Sequence, residues 1–156
     1  MNQFDKILSN YKRVYEHNCF IYKEGDSIKN KLFKIDGYGI YLIYGGQFPV
    51  NPKASCNKIK DKSKEIIYIG AGGSIKQTGK MKGQAIKGRL KNTRKGRSAD
   101  KYYHFLLKKY KYLIFYYFIT FNRERNQKVL PKFAEAELMQ CYFDSYGVLP
   151  KENNSF

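Results

Sequence analysis

A chain of 156 residues with 30 Lys and Arg against 13 Asp and Glu carries a formal net charge of +17. It suits one domain with a modest core and points outward to a polyanionic partner. Nucleic acid fits that charge best, because each neutralised phosphate releases counterions, whereas no basic amphipathic helix marks a membrane surface. Asp5, Lys6 and Lys12 stand where a secretory signal needs apolar residues, so no leader is expected. The apolar run 112–121 falls short of the about 20 residues of a membrane span. A cytoplasmic protein is expected, with Cys19, Cys56 and Cys141 as reduced thiols, at least one in the core. His17 and His104 lie far apart in sequence, which disfavours zinc and histidine-centred hydrolysis.

In chain order, Phe4, Ile7, Leu8, Tyr11, Val14 and Tyr15 recur at helical spacing over 4–16. Phe20-Ile21-Tyr22 reads as a short strand or ordered arm, Gly25-Asp26 as a turn and 29–34 as a basic stretch. Residues 37–44 form the first firm strand, Gly-Tyr-Gly-Ile-Tyr-Leu-Ile-Tyr, ending at Gly45-Gly46. A long basic connection over 45–64 leads to a second strand at 65–70. Alternation lets an antiparallel pair present Tyr41 and Tyr68 on one face.

Residues 71–83 read as a flexible glycine- and lysine-rich loop, without the Gly-Lys-Ser/Thr ending of a P-loop. A helix is predicted over 84–95, with Arg89 bordering its buried side and Lys87, Lys91, Arg94 and Lys95 outward. A second short helix covers 101–109. The run 111–121 is apolar on both faces and predicts a central strand. A polar turn or loop over 122–128 and a helix over 132–146, stopped by Gly147, complete the elements. Residues 148–156 read as an irregular tail. The fold expected is α+β, a small antiparallel sheet of about three strands flanked by helices. Residues 1–36 form an N-terminal helix or arm for DNA contact or dimerisation, and 37–156 the core.

The last helix holds two carboxylates that its geometry separates. Glu137, Gln140 and Asp144 make one polar stripe, while Glu135, roughly 200° from Glu137 around the axis, falls beside Leu138, Met139 and Tyr142. A carboxylate on an apolar side needs a cation or hydrogen bonds. On the helix alone, a metal ligand and a rim carboxylate paired with lysine are equally good readings.

Gly39-Ile40-Tyr41, Tyr68-Ile69-Gly70, Arg89, Glu135 shortly before Leu138-Met139, and Pro150 followed by Asn153 together resemble the GIY-YIG nucleases. The resemblance spans roughly residues 37–154 and is nearest to the small Type II restriction endonucleases of that family. It implies a Mg²⁺- or Mn²⁺-dependent DNA endonuclease cutting both strands, working in the cytoplasm as a homodimer on double-stranded DNA. Tyr41 and Tyr68 would position the attacking water, with one of them the general base. A phenol titrates near about 10 and needs a neighbouring cation to ionise near neutrality; Lys76 and Lys80 are the nominees. Arg89 would hold the scissile phosphate and Glu135 the metal. Asn153, with Asn154 equally placed, and Lys82, Lys87, Lys91 and Arg94 would contact substrate. Base readout would come from Lys53, Asn57, Lys58 or the N-terminal arm. The long separation of the tyrosines, Ala71 after Gly70, and Thr93 where many members carry histidine depart from the family. A repair or mobile-element nuclease of the same family, or a basic nucleic-acid-binding module without cleavage, are the alternatives.

Overall fold

In the computed structural model, the described residues are 1–32, 36–49, 51, 55, 56, 59 and 64–154. Lys53, Asn57 and Lys58, expected to read bases, lie outside them. Helix α1 (Gln3–Val14) starts where the Asn2 side chain accepts from the Asp5 amide at 2.8 Å, with Asp5 in its first turn and Lys12 and Arg13 in its last. Strand β1 (Glu16–Tyr22) and the short helix α2 (Ile28–Lys31) follow. Strands β2 (Tyr38–Gly46) and β3 (Glu65–Gly72) pair antiparallel. Between β3 and helix α3 (Ile86–Leu90) a small hairpin forms from β4 (Ser74–Ile75) and β5 (Met81–Lys82). Helix α4 (Ala99–Leu106), strand β6 (Tyr112–Asn122), strand β7 (Gln127–Lys128) and helix α5 (Pro131–Tyr146) complete the order. Pro131 opens α5 and Gly147, at φ 72°, closes it.

The main sheet has five strands in the order β1-β6-β2-β3, with β7 alongside β6. That exceeds the three expected, because residues read as an arm and a polar loop supply β1 and β7. The run apolar on both faces is central, as its pattern requires: β6 lies between β1 and β2 and is covered on each side. On one face Ile40, Leu42, Ile69 and Phe118 pack with Phe4 and Leu8 of α1 and with Ala134 and Leu138 of α5. On the other, Tyr41, Ile43 and Phe115 pack with Ile86 and Leu90 of α3 and with Tyr103 and Leu106 of α4.

Two further expectations are corrected. Cys19 on β1 and Cys56 in the β2–β3 connection form a disulfide, leaving Cys141 as a buried free thiol. The helix predicted over 84–95 is a turn and a half, and it ends before Arg94. Arg94 and Arg97 exchange both backbone hydrogen bonds, at 2.8 and 3.0 Å, around Lys95 and Gly96, whose φ angles are 49° and 74°. Two consecutive left-handed residues make a hairpin-type turn and cannot continue a helix.

Candidate active site

Strand β3 is an edge of the main sheet, so groups carried on both faces can meet around it. Tyr41 lies opposite Gly70, and Tyr68 opposite Ile43, which sets the two phenols diagonally on one face. Their rings stack with centroids 5.9 Å apart and planes 21° from parallel. The glycines flanking them have a steric reason. A Cβ on Gly70 would stand 2.5 Å from the Tyr41 ring, and one on Gly39 would fall on the Phe118 carbonyl oxygen.

The cation beside these rings is Arg94. Its Nη2 donates to the Tyr41 hydroxyl at 2.7 Å and, more weakly, to the Arg89 carbonyl at 3.4 Å. Its guanidinium lies 5.1 Å from the Tyr68 centroid and 5.8 Å from that of Tyr41. The left-handed turn folds this side chain inward, against the outward placement expected. Tyr41 is 0 % exposed, and burial pushes its phenol well above the usual tyrosine range, with Arg94 working the other way. Burial also disfavours charge on Arg94, but Tyr41, Tyr103 and Tyr68 outweigh it and keep the guanidinium charged. Tyr68 is half-buried and lines an open cavity, so its hydroxyl is the accessible one of the pair.

Arg89 and Glu135 approach from opposite faces. Arg89 is a half-buried residue of α3, while Glu135 stands in the second turn of α5 with its side chain 13 % exposed. Burial raises the Glu135 carboxyl above the ordinary range, and the charges of Lys132 and Arg89 pull it back. Its ion pair with Lys132 is long, 3.9 Å, and leaves acceptor capacity on both oxygens. Glu137, by contrast, accepts from the Tyr11 hydroxyl at 2.9 Å and so ties α5 to α1.

The remaining residues divide. Asn153 binds the outer edge of β3 from both sides of its amide, accepting from the Ile69 amide at 2.9 Å and donating to the Ile69 carbonyl at 3.1 Å. Asn154 is exposed at the cavity rim, and only Asn153 makes these bonds. Lys76 and Lys80 sit in the β4–β5 hairpin, exposed; Lys80 lines a separate groove of about 750 Å³ with Asp36, Phe121 and Arg123. The position beside the phenols expected for these lysines belongs to Arg94. Lys82 and Lys91 are exposed and Lys87 half-buried, around the same helix.

Sequence reasoning missed Glu152. It is 8 % exposed, donates its amide to the Ile67 carbonyl at 2.8 Å and pairs with Lys109 at 3.2 Å. With Tyr68, Arg94 and Tyr102 it lines a cavity of about 300 Å³. The segment from Pro150 to Asn153 was singled out for Pro150 and Asn153, and Glu152 between them was given no role. Among the described residues no group of three or more His, Cys, Asp or Glu gathers as a metal cluster. Mg²⁺ usually takes only one or two carboxylates and keeps its waters, so Glu135 alone fits it.

Comparison with models of known families, with curated proteins and with solved structures finds no match to this chain. No helix among the described residues is long and apolar enough to cross a membrane.

Proposed function

We propose that this chain is a Mg²⁺-dependent DNA endonuclease of the GIY-YIG type, most like the small Type II restriction enzymes. The observation that carries the reading is the stacked Tyr41–Tyr68 pair held by Arg94, at the edge strand against which the helices bearing Arg89 and Glu135 pack. Tyrosine is abundant here, at 15 residues. Two stacked tyrosines beside one half-buried guanidinium are a far narrower coincidence.

The buried and accessible phenols divide the work. Tyr68 hydrogen-bonds the attacking water and takes its proton. Tyr41 is a positioning residue, because its hydroxyl faces Arg94 and no solvent. It fixes the guanidinium over the Tyr68 ring. Arg89 binds the non-bridging oxygens of the scissile phosphate and opposes the charge that develops on them. Glu135 would hold Mg²⁺, which would supply Lewis acidity for departure of the leaving group. Asn153 does not touch substrate in this scheme; it clamps the edge strand that carries Tyr68.

The test is incubation of the purified protein with mixed plasmid and phage DNA in Mg²⁺ or EDTA, beside Glu135→Ala and Arg89→Ala. Discrete Mg²⁺-dependent fragments, reduced about 10²–10³-fold in rate by either substitution, are expected. Intact but gel-shifted DNA would replace the reading with a binding module. Nicks without defined ends would point to a repair or mobile-element nuclease.

A further inference from the structure

The cavity beside Tyr68 has a composition that phosphate binding does not account for. Tyr68 and Tyr102 give it aromatic wall, Arg94 and Lys95 give it positive charge, and Glu152 adds a nearly buried carboxylate. In a chain of net charge +17 that meets a polyanion, a carboxylate in a phosphate pocket would repel its own ligand. A carboxylate accepts N–H groups instead. One Glu152 oxygen receives Lys109 at 3.2 Å, and a carboxylate's two oxygens hold about four acceptor sites, so capacity remains toward the cavity.

The backbone on the opposite wall is strained to match. Lys95 sits at φ 49°, a region that favours glycine, and its ammonium lies 5.9 Å from the Tyr102 ring centre. A lysine held there costs conformational free energy, and such positions cluster at ligand sites. The volume, about 300 Å³, lies at the lower end of small-ligand pockets and accommodates one flat heterocycle with part of its sugar.

We propose that this cavity binds an unstacked guanine next to the cut phosphate. Guanine presents two adjacent N–H donors, N1 and N2, to the Glu152 carboxylate and its O6 acceptor to the Arg94 or Lys95 cation. Adenine places an acceptor, N1, where the carboxylate needs a donor. Thymine and cytosine each offer a single donor position on that edge. The half-buried Tyr68 supplies the aromatic surface on which an extracted base stacks, and the buried Tyr102 closes the wall behind it. The proposal rests on the nuclease reading for its class of ligand, nucleic acid, and adds which base the site selects.

Binding of dGMP, dAMP, dCMP and dTMP to the full chain, followed by calorimetry or tyrosine fluorescence in EDTA, tests it without any cleavage. The expected result is dGMP bound roughly tenfold or more tightly than the others, as one good bidentate contact provides. Glu152→Gln should abolish that preference. Lys95→Gly, which suits the left-handed turn and so folds, should weaken dGMP several-fold and leave the other three unchanged. Equal binding of all four nucleotides, no binding, or deoxyribose 5-phosphate binding as tightly as dGMP would overturn the proposal. Because no DNA is cut, a failed nuclease reading would show separately, as intact plasmid beside an undisturbed dGMP preference.

Discussion

Tyr41 and Tyr68 touch each other yet differ in exposure, and that difference separates their expected phenotypes. Tyr68→Phe removes the accessible hydroxyl and is expected to slow cleavage by about 10²–10³ with little change in thermal stability. Tyr41→Phe removes the acceptor of Arg94, whose Nε already lies buried without a partner. It is expected to cost about 1–3 kcal/mol of stability, with the smaller effect on single-turnover rate; thermal melts beside rate measurements separate the two. Glu135 gives a pH prediction. Burial raises its carboxyl, so the folded protein holds that proton more tightly than the unfolded chain does. The stability linked to the proton is complete below the unfolded-state value and is lost as pH rises through the higher folded one. Glu135→Gln should therefore melt no lower than the parent at neutral pH while failing to cleave. Parental cleavage should fall off on acidification at a pH above the ordinary glutamate range, because the carboxylate must be ionised to hold a metal. That Tyr41 and Tyr68 share one face was legible in the sequence through strand alternation. Arg94 was not, because its direction depends on two left-handed residues that helical periodicity cannot register. Glu152 was not, because only the pairing of its backbone with β3 gives it a place.

Among the elements, β3 and the connection before it decide whether the site stays assembled. Its outer edge would be open to pairing with another chain, but Glu152 and Asn153 occupy it through Ile67 and Ile69. Midway along that connection the disulfide ties Cys56 to Cys19 of β1, across a sequence separation of 37. Closing a loop of that length stabilises the fold by about 3–4 kcal/mol on the chain-entropy account. Cys56→Ser, or reduction of the parent, should accordingly lower the free energy of unfolding by that amount, measured by urea titration. β2, β3 and β6 were readable as runs of β-branched and aromatic residues, and α5 from Pro131 at its start and Gly147 at its end. β1 was readable only in part, as a short strand or ordered arm at 20–22, and β7 not at all, since their partner β6 lies far off in one case and is met over two residues in the other.

For the whole molecule the governing quantity is the charge of +17. Cations surround the candidate site on several elements: Lys82 on β5, Lys87 on α3, Lys91 just past it, and Lys132 on α5. The logarithm of DNA affinity in EDTA should fall linearly with the logarithm of salt concentration, a loss of about 10³-fold or more between roughly 50 and 200 mM if six or more phosphates are contacted. A shallow dependence, measured by filter binding, would mean that the basic surface does not track a duplex.

The strand order also governs how the molecule comes into being. β1 ends at Tyr22, but the strand it pairs with begins only at Tyr112, and β2 needs that same strand on its other side. A chain growing on a ribosome thus carries β1 without its partner through most of synthesis, and long-range pairing of this kind slows folding. Glu135 and Asn153 emerge later still. On the proposed function, the nascent chain is a basic polymer with no means of cutting, and the ability to hydrolyse DNA arrives together with the completed fold.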